Sequence, residues 1–116
     1  MKEYQLIGEG RNRQVWRRPG SNYVVKIPKN TYGIRDNTLE NFRYKNSLNK
    51  DTYAKYAKCR LKGIILFMEY AQYPGPFSDA SGYIAWTLCP AWASTIDCCQ
   101  VGYNSKMEIV AYDYGD

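Results

Sequence analysis

Residues 4–27 read Tyr4-Gln5-Leu6-Ile7-Gly8-Glu9-Gly10-Arg11-Asn12-Arg13-Gln14-Val15-Trp16-Arg17-Arg18-Pro19-Gly20-Ser21-Asn22-Tyr23-Val24-Val25-Lys26-Ile27, and the fold follows from how this stretch divides. Tyr4 to Gly8 alternates weakly and runs into Gly8-Glu9-Gly10, a turn signal. Gln14-Val15-Trp16-Arg17 is the returning strand. Pro19-Gly20-Ser21-Asn22 turns the chain again, and Tyr23 to Ile27 is a β-branched strand stopped by Pro28. The stretch predicts three strands in a meander.

Outward from it, Thr31 to Asp36 is polar and turn-rich. Asn37 predicts a helix cap, with Glu40 three residues later completing a capping box. Leu39, Phe42 and Leu48 then give a partial helical stripe to about Tyr56. Lys58 to Leu61 is a short strand, Lys62-Gly63 a turn, and Ile64 to Tyr70 a buried strand. Pro74-Gly75-Pro76 breaks the chain. Residues 77–92 fit either helices or an irregular hydrophobic surface. Cys99 to Tyr103 and Met107 to Tyr112 form a hairpin about Asn104-Ser105-Lys106. The order predicts an α+β fold: a five-stranded antiparallel sheet with one main helix, a short helical or irregular segment, and a β-hairpin.

The chain has 116 residues, which suggests one domain. Its composition, 45% hydrophobic and 23% charged, is that of a globular protein and argues against full disorder. There is no histidine. Mechanisms that need an internal imidazole are therefore excluded: Ser-His-Asp and Cys-His triads, His-ligated metals and imidazole proton shuttles. The four cysteines, Cys59, Cys89, Cys98 and Cys99, form no CxxC pair. They read as free thiols in a reducing compartment, with neither zinc nor haem expected. No apolar region follows the charges of the N-terminus, and the longest apolar run, Ile64 to Met68, is too short to span a bilayer. A cytoplasmic protein without membrane contact is the expectation. The net charge of +5 suits a solvated surface or a phosphate, nucleic-acid or acidic-protein partner, and no nucleic-acid-binding motif accompanies it.

Four features occur in a telling order. Gly8-Glu9-Gly10, with Val15 five residues beyond the second Gly, sits at a strand-to-strand turn where backbone amides can approach a phosphate. Lys26 follows two Val in the third strand. Glu40 lies on the following helix. Asp113-Tyr114-Gly115 follows the final strand.

This arrangement resembles the protein-kinase fold, and more narrowly its small ATP-binding lobe with a DFG-like hairpin. In that family a Gly-rich loop covers the ATP phosphates, a third-strand Lys pairs with them and with a helix Glu, and the Asp of Asp-Phe-Gly holds Mg²⁺. The resemblance implies that Gly8, Gly10, Lys26 and Glu40 bind nucleotide. It also implies that Met68-Glu69-Tyr70-Ala71 is the gatekeeper and hinge, receiving an adenine at Glu69 and Tyr70. Gln100 and Asp113 would hold the metal, so ATP and Mg²⁺ are the implied cofactors. The chain then divides into a small-lobe-like part, residues 1–72, and a hinge-distal segment with the C-terminal hairpin, residues 73–116, within one truncated domain.

The sequence departs from the family in ways that bear on activity. Arg13 replaces the third loop Gly, where a long side chain reaches into the phosphate site or blocks it. In the register of the catalytic loop, Ser94 stands for the His and Thr95 for the Asp. No general base is in place, and Asp97, two residues out of register, is the one candidate substitute. The large lobe has no residues to form it. A face left uncovered by that lobe marks a partner or self-association site, and Trp86 and Trp92 are its candidate residues. The run Asp97-x-x-Gln100-Val101-Gly102-Tyr103, with Tyr112-Asp113-Tyr114-Gly115, is similar to short kinase-like proteins of bacteriophages. The reading is a non-catalytic binding protein that modulates a host enzyme or other macromolecule by contact. The alternative is a minimal or atypical ATP-dependent phosphotransferase or nucleotidyltransferase.

Overall fold

The computed structural model describes residues 3–47, 56–71 and 101–112. In these residues the chain forms β1 (Gln5–Glu9), β2 (Arg13–Arg17), β3 (Tyr23–Pro28), α1 (Thr31–Ser47), β4 (Cys59–Lys62), β5 (Ile65–Glu69), β6 (Val101–Tyr103) and β7 (Ile109–Ala111). β1 to β5 make one antiparallel sheet in the order β1-β2-β3-β5-β4, and β6 and β7 make a separate hairpin. The fold is α+β, as the sequence predicts, and the three-strand meander lies where the turn residues put it.

β3 is the central strand. Val24, Val25 and Lys26 are buried in succession, so both of its faces are covered. Its register places Val24 beside Met68 and Lys26 beside Leu66. Val24, Leu66 and Met68 form a core with Ala57, Ala71, Val110 and Ala111. The β6–β7 hairpin joins that core by a backbone bond from Ala57 N to the Ala111 carbonyl (2.8 Å). At Gly63 the turn between β4 and β5 has φ +63°, a conformation that glycine adopts without a Cβ clash.

The helix differs from the sequence reading at its start. It begins at Thr31, not after Asn37. Asn30 is the cap: its Oδ1 accepts the Gly33 N–H at 3.0 Å. Asn37 and Glu40 are therefore mid-helix and fully buried, not a capping box. Gly33 disguised the first turn. It reads as a loop residue, but it is glycine because a Cβ there would stand 2.2 Å from the Asn12 carbonyl oxygen and 2.9 Å from the Pro28 Cβ. Phe42 also departs from the expected apolar stripe, being 61% exposed. The helix is instead tied to the sheet by polar side chains. Asn37 Nδ2 donates to the carbonyls of Lys26 (3.0 Å) and Ile64 (2.8 Å), and Asn41 Oδ1 accepts the Leu61 N–H (3.2 Å). At its far end, Tyr56 is not helical but forms a bridge with Ala111. Among the described residues, no helix is long and apolar enough to cross a membrane.

Candidate functional site

A cleft of about 930 Å³ opens on the sheet face that carries Val15, Val24, Lys26 and Met68. That volume is the size of small-molecule sites in general. One wall is the β1–β2 hairpin with Gly8 and Gly10; Glu69, Tyr70 and Ala71 form the opposite rim, and Tyr112 closes it from the C-terminal hairpin. β1 carries a bulge between Leu6 and Gly8, which re-aims the strand as it enters the hairpin. Neither glycine there is forced by the fold. A Cβ on Gly10 would meet nothing within 4 Å, and one on Gly8 would make only ordinary contact with Val15 at 3.8 Å.

The hairpin tip is held from outside the cleft. Glu9 pairs with Lys29 at 3.0 Å and accepts from Gln14 Nε2 at 3.0 Å. The Gln14 hydrogen bond, then Lys29, hold the Glu9 carboxyl below its ordinary value. Lys29 N–H donates to the Asn12 carbonyl (2.8 Å), and Asn30 Nδ2 donates to Asn12 Oδ1 (3.3 Å). The turn that starts α1 therefore anchors the tip of the β1–β2 hairpin.

At the base of the cleft lies a buried charged node. Lys26 Nζ donates to Glu40 Oε1 at 2.8 Å and to the Tyr112 carbonyl at 2.6 Å. An ammonium has three donors, so one remains on a side chain that lines the cleft. Arg13 grips the same carboxylate bidentately, at 2.7 and 3.1 Å, and donates to Asn37 Oδ1 at 3.0 Å. Burial raises the Glu40 carboxyl; the Lys26 charge, then the Arg13 hydrogen bond and charge, overcome it and bring the pKa down to about 2. Glu40 is ionised at any ordinary pH.

The structure thus brings together Gly8, Gly10, Lys26 and Glu40, and sets Glu69 and Tyr70 on the same cleft. Arg13 enters the charged node behind the hairpin, instead of projecting across the cleft as a plug. At the rim, the N–H of Glu69 donates to the Lys58 carbonyl (2.7 Å) and that of Tyr70 to the Asn22 carbonyl (2.8 Å). Those two amide hydrogens are not available to an adenine. Tyr70 instead carries the Arg17 guanidinium over its ring, 3.8 Å from the centroid.

Asp97, Gln100, Asp113, Trp86 and Trp92 lie outside the described residues, as do Cys89, Cys98 and Cys99. Cys59 is half-buried, and its Sγ donates to the Glu40 carbonyl at 3.7 Å. Among the described residues, no group of three or more metal-ligating side chains converges. Sequence reasoning missed Asn37 and Arg17 as parts of the cleft and its frame. Their partners are set by sheet register and helix placement, which no local pattern carries. Comparison with family models, with curated proteins and with solved structures finds no match to this chain.

Proposed function

We propose that this chain is a non-catalytic, kinase-like binding protein whose cleft takes a nucleotide and which acts on a macromolecular partner by contact, in the cytoplasm. The observation that carries the nucleotide part is the pair of Lys26 on the third strand with Glu40 on the following helix, 2.8 Å apart beneath the Gly8–Gly10 hairpin. In kinases the corresponding pair orients the phosphates of ATP. Two features add support. The space beside Gly10 is open, and Lys26, which lines the cleft, has a third donor beyond those given to Glu40 and Tyr112. The non-catalytic part rests on sequence: Thr95 stands where the family has its catalytic Asp. Partner contact through Trp86 and Trp92, with a host enzyme or a second copy, belongs to the same reading. ATP and Mg²⁺ are the ligands it implies, with Gln100 and Asp113 toward the metal.

The test is thermal unfolding in Mg²⁺-ATP. Ligand at a hundred times Kd stabilises by about 2.7 kcal/mol, which raises Tm by several degrees in a domain of this size. Gly10→Val has room in the unliganded fold, so its own Tm should match wild type while the ATP shift is lost. Lys26→Met should lose the shift too. No shift for wild type at millimolar ATP, or equal shifts in all three proteins, would refute the nucleotide reading.

A second reading, an ATP-dependent transferase, is favoured by the same intact pair, because phosphoryl transfer rests mainly on positioning and electrostatics. Release of labelled γ-phosphate above background, lost in Lys26→Met, would select it. Binding without turnover selects the first.

A further inference from the structure

We propose that the outer end of the cleft binds a second anionic group through Arg17, so that the ligand class is a nucleoside carrying phosphates at two positions of its ribose. This rests on the nucleotide reading above. Side chains two apart on a strand share a face. Arg13, Val15 and Arg17 of β2 all line the cleft, while Gln14 and Trp16 alternate with them and bond to each other at 3.2 Å.

The register places Lys26 beside Val15 and Val24 beside Arg17. The Arg17 position is thus two residues from that of Lys26, about 7 Å along the strand. Between the two cations the floor is apolar: Val15, Val24 and Met68. Two cationic residues mounted two strand positions apart, with an apolar floor between them, suit one ribose bearing two phosphate esters, with its base against the floor.

Arg17 is mounted for such a role. Its Nε donates to the Ser21 carbonyl at 2.9 Å, and its guanidinium carbon lies over the Tyr70 ring, 3.8 Å from the centroid. These contacts hold the guanidinium in place and leave the two terminal nitrogens, the edge that binds phosphate bidentately. Arg17 makes no ion pair among the described residues. Glu69, an acidic residue of the cleft lining, is committed elsewhere: its carboxylate accepts from Asn104 Nδ2 at 3.3 Å and from the Lys58 N–H at 3.4 Å. A guanidinium that is oriented, cleft-lining and without a counterion among the described residues suits an anion.

The experiment is titration calorimetry of adenosine 5′-monophosphate and adenosine 3′,5′-bisphosphate against wild type, Arg17→Ala and Arg18→Ala. Arg18 is the control: it lies over Tyr4, 5.2 Å from the ring centroid, and does not line the cleft. In wild type and Arg18→Ala the bisphosphate should bind at least tenfold more tightly. In Arg17→Ala the two ligands should bind alike. Equal affinities in wild type, or a preference that survives Arg17→Ala, overturn the inference while leaving the nucleotide reading standing. Failure of both ligands to bind wild type at millimolar concentration overturns both.

Discussion

Replacing Glu40 by Gln tests the charged node that holds the cleft together. The substitution keeps the shape and removes one charge. Lys26 and Arg13 then face a neutral amide, although their side chains are only 5% and 11% exposed. Breaking a buried pair in this way costs about 3–5 kcal/mol, a large part of the 5–15 kcal/mol typical of a folded domain. A second magnitude comes from titration. The Glu40 carboxyl moves from 4.5 to about 2 on folding. At about 1.4 kcal/mol per pH unit that is roughly 3 kcal/mol of pH-dependent stability. Because the folded-state value is the lower one, this stability is fully present above pH 4.5 and is lost as pH falls from there through about 2. Urea unfolding of wild type and Glu40→Gln, measured from pH 7 to pH 2, reads both quantities. The variant should be weaker at pH 7, and the gap should close as the medium becomes acid. Glu9, also held below its ordinary value, is common to both proteins and drops out of the difference. A variant within 1 kcal/mol of wild type at pH 7, with a parallel acid limb, would refute the account of the node.

Two further substitutions test how α1 is seated. Gly33→Ala gains about 1 kcal/mol of helix propensity, but its Cβ would stand 2.2 Å from a backbone oxygen. Overpacking of about 1–3 kcal/mol should win, so Tm should fall; a rise would show that the Asn12 turn yields freely. Asn37→Leu leaves the Lys26 and Ile64 carbonyls without their side-chain donor and removes an acceptor from Arg13. A loss of about 2–4 kcal/mol in urea unfolding is expected from the desolvated groups, and a loss under 1 kcal/mol would mean that these bonds do little to seat the helix.

The strands were legible because their signals are local. Alternation, β-branched runs and the Pro19-Gly20 and Lys62-Gly63 turns each act within a few residues, and all five strands of the sheet fall where those signals place them. The pairing of Lys26 with Glu40 is what the resemblance to the kinase small lobe implies; the local pattern alone makes Glu40 a capping residue. The start of the helix was not legible, since two residues carried misleading local signals. Asn37 is a cap residue by type, yet here its amide is satisfied by carbonyls 11 and 27 residues away. Gly33 is a turn residue by type, yet here it admits a neighbouring carbonyl. Both are answers to tertiary contacts, which a one-dimensional pattern does not hold.

Arg13 shows what such contacts add to function. By the kinase resemblance it stands where a third loop glycine would be, and its length suits either reaching into the phosphate site or blocking it. In the fold it reaches back to Glu40 and Asn37, so β2, β3 and α1 meet at one carboxylate. Lys26 alone would tie the helix to β3. With Arg13 the hairpin that leads into β2 is tied to the same point, while Lys29 and Asn30 tie its tip to the start of the helix. The glycine wall of the cleft is therefore fixed at both ends before any ligand enters. A ligand binding there, as proposed, would order little of that wall, so the entropy that ordering would consume would be retained as affinity.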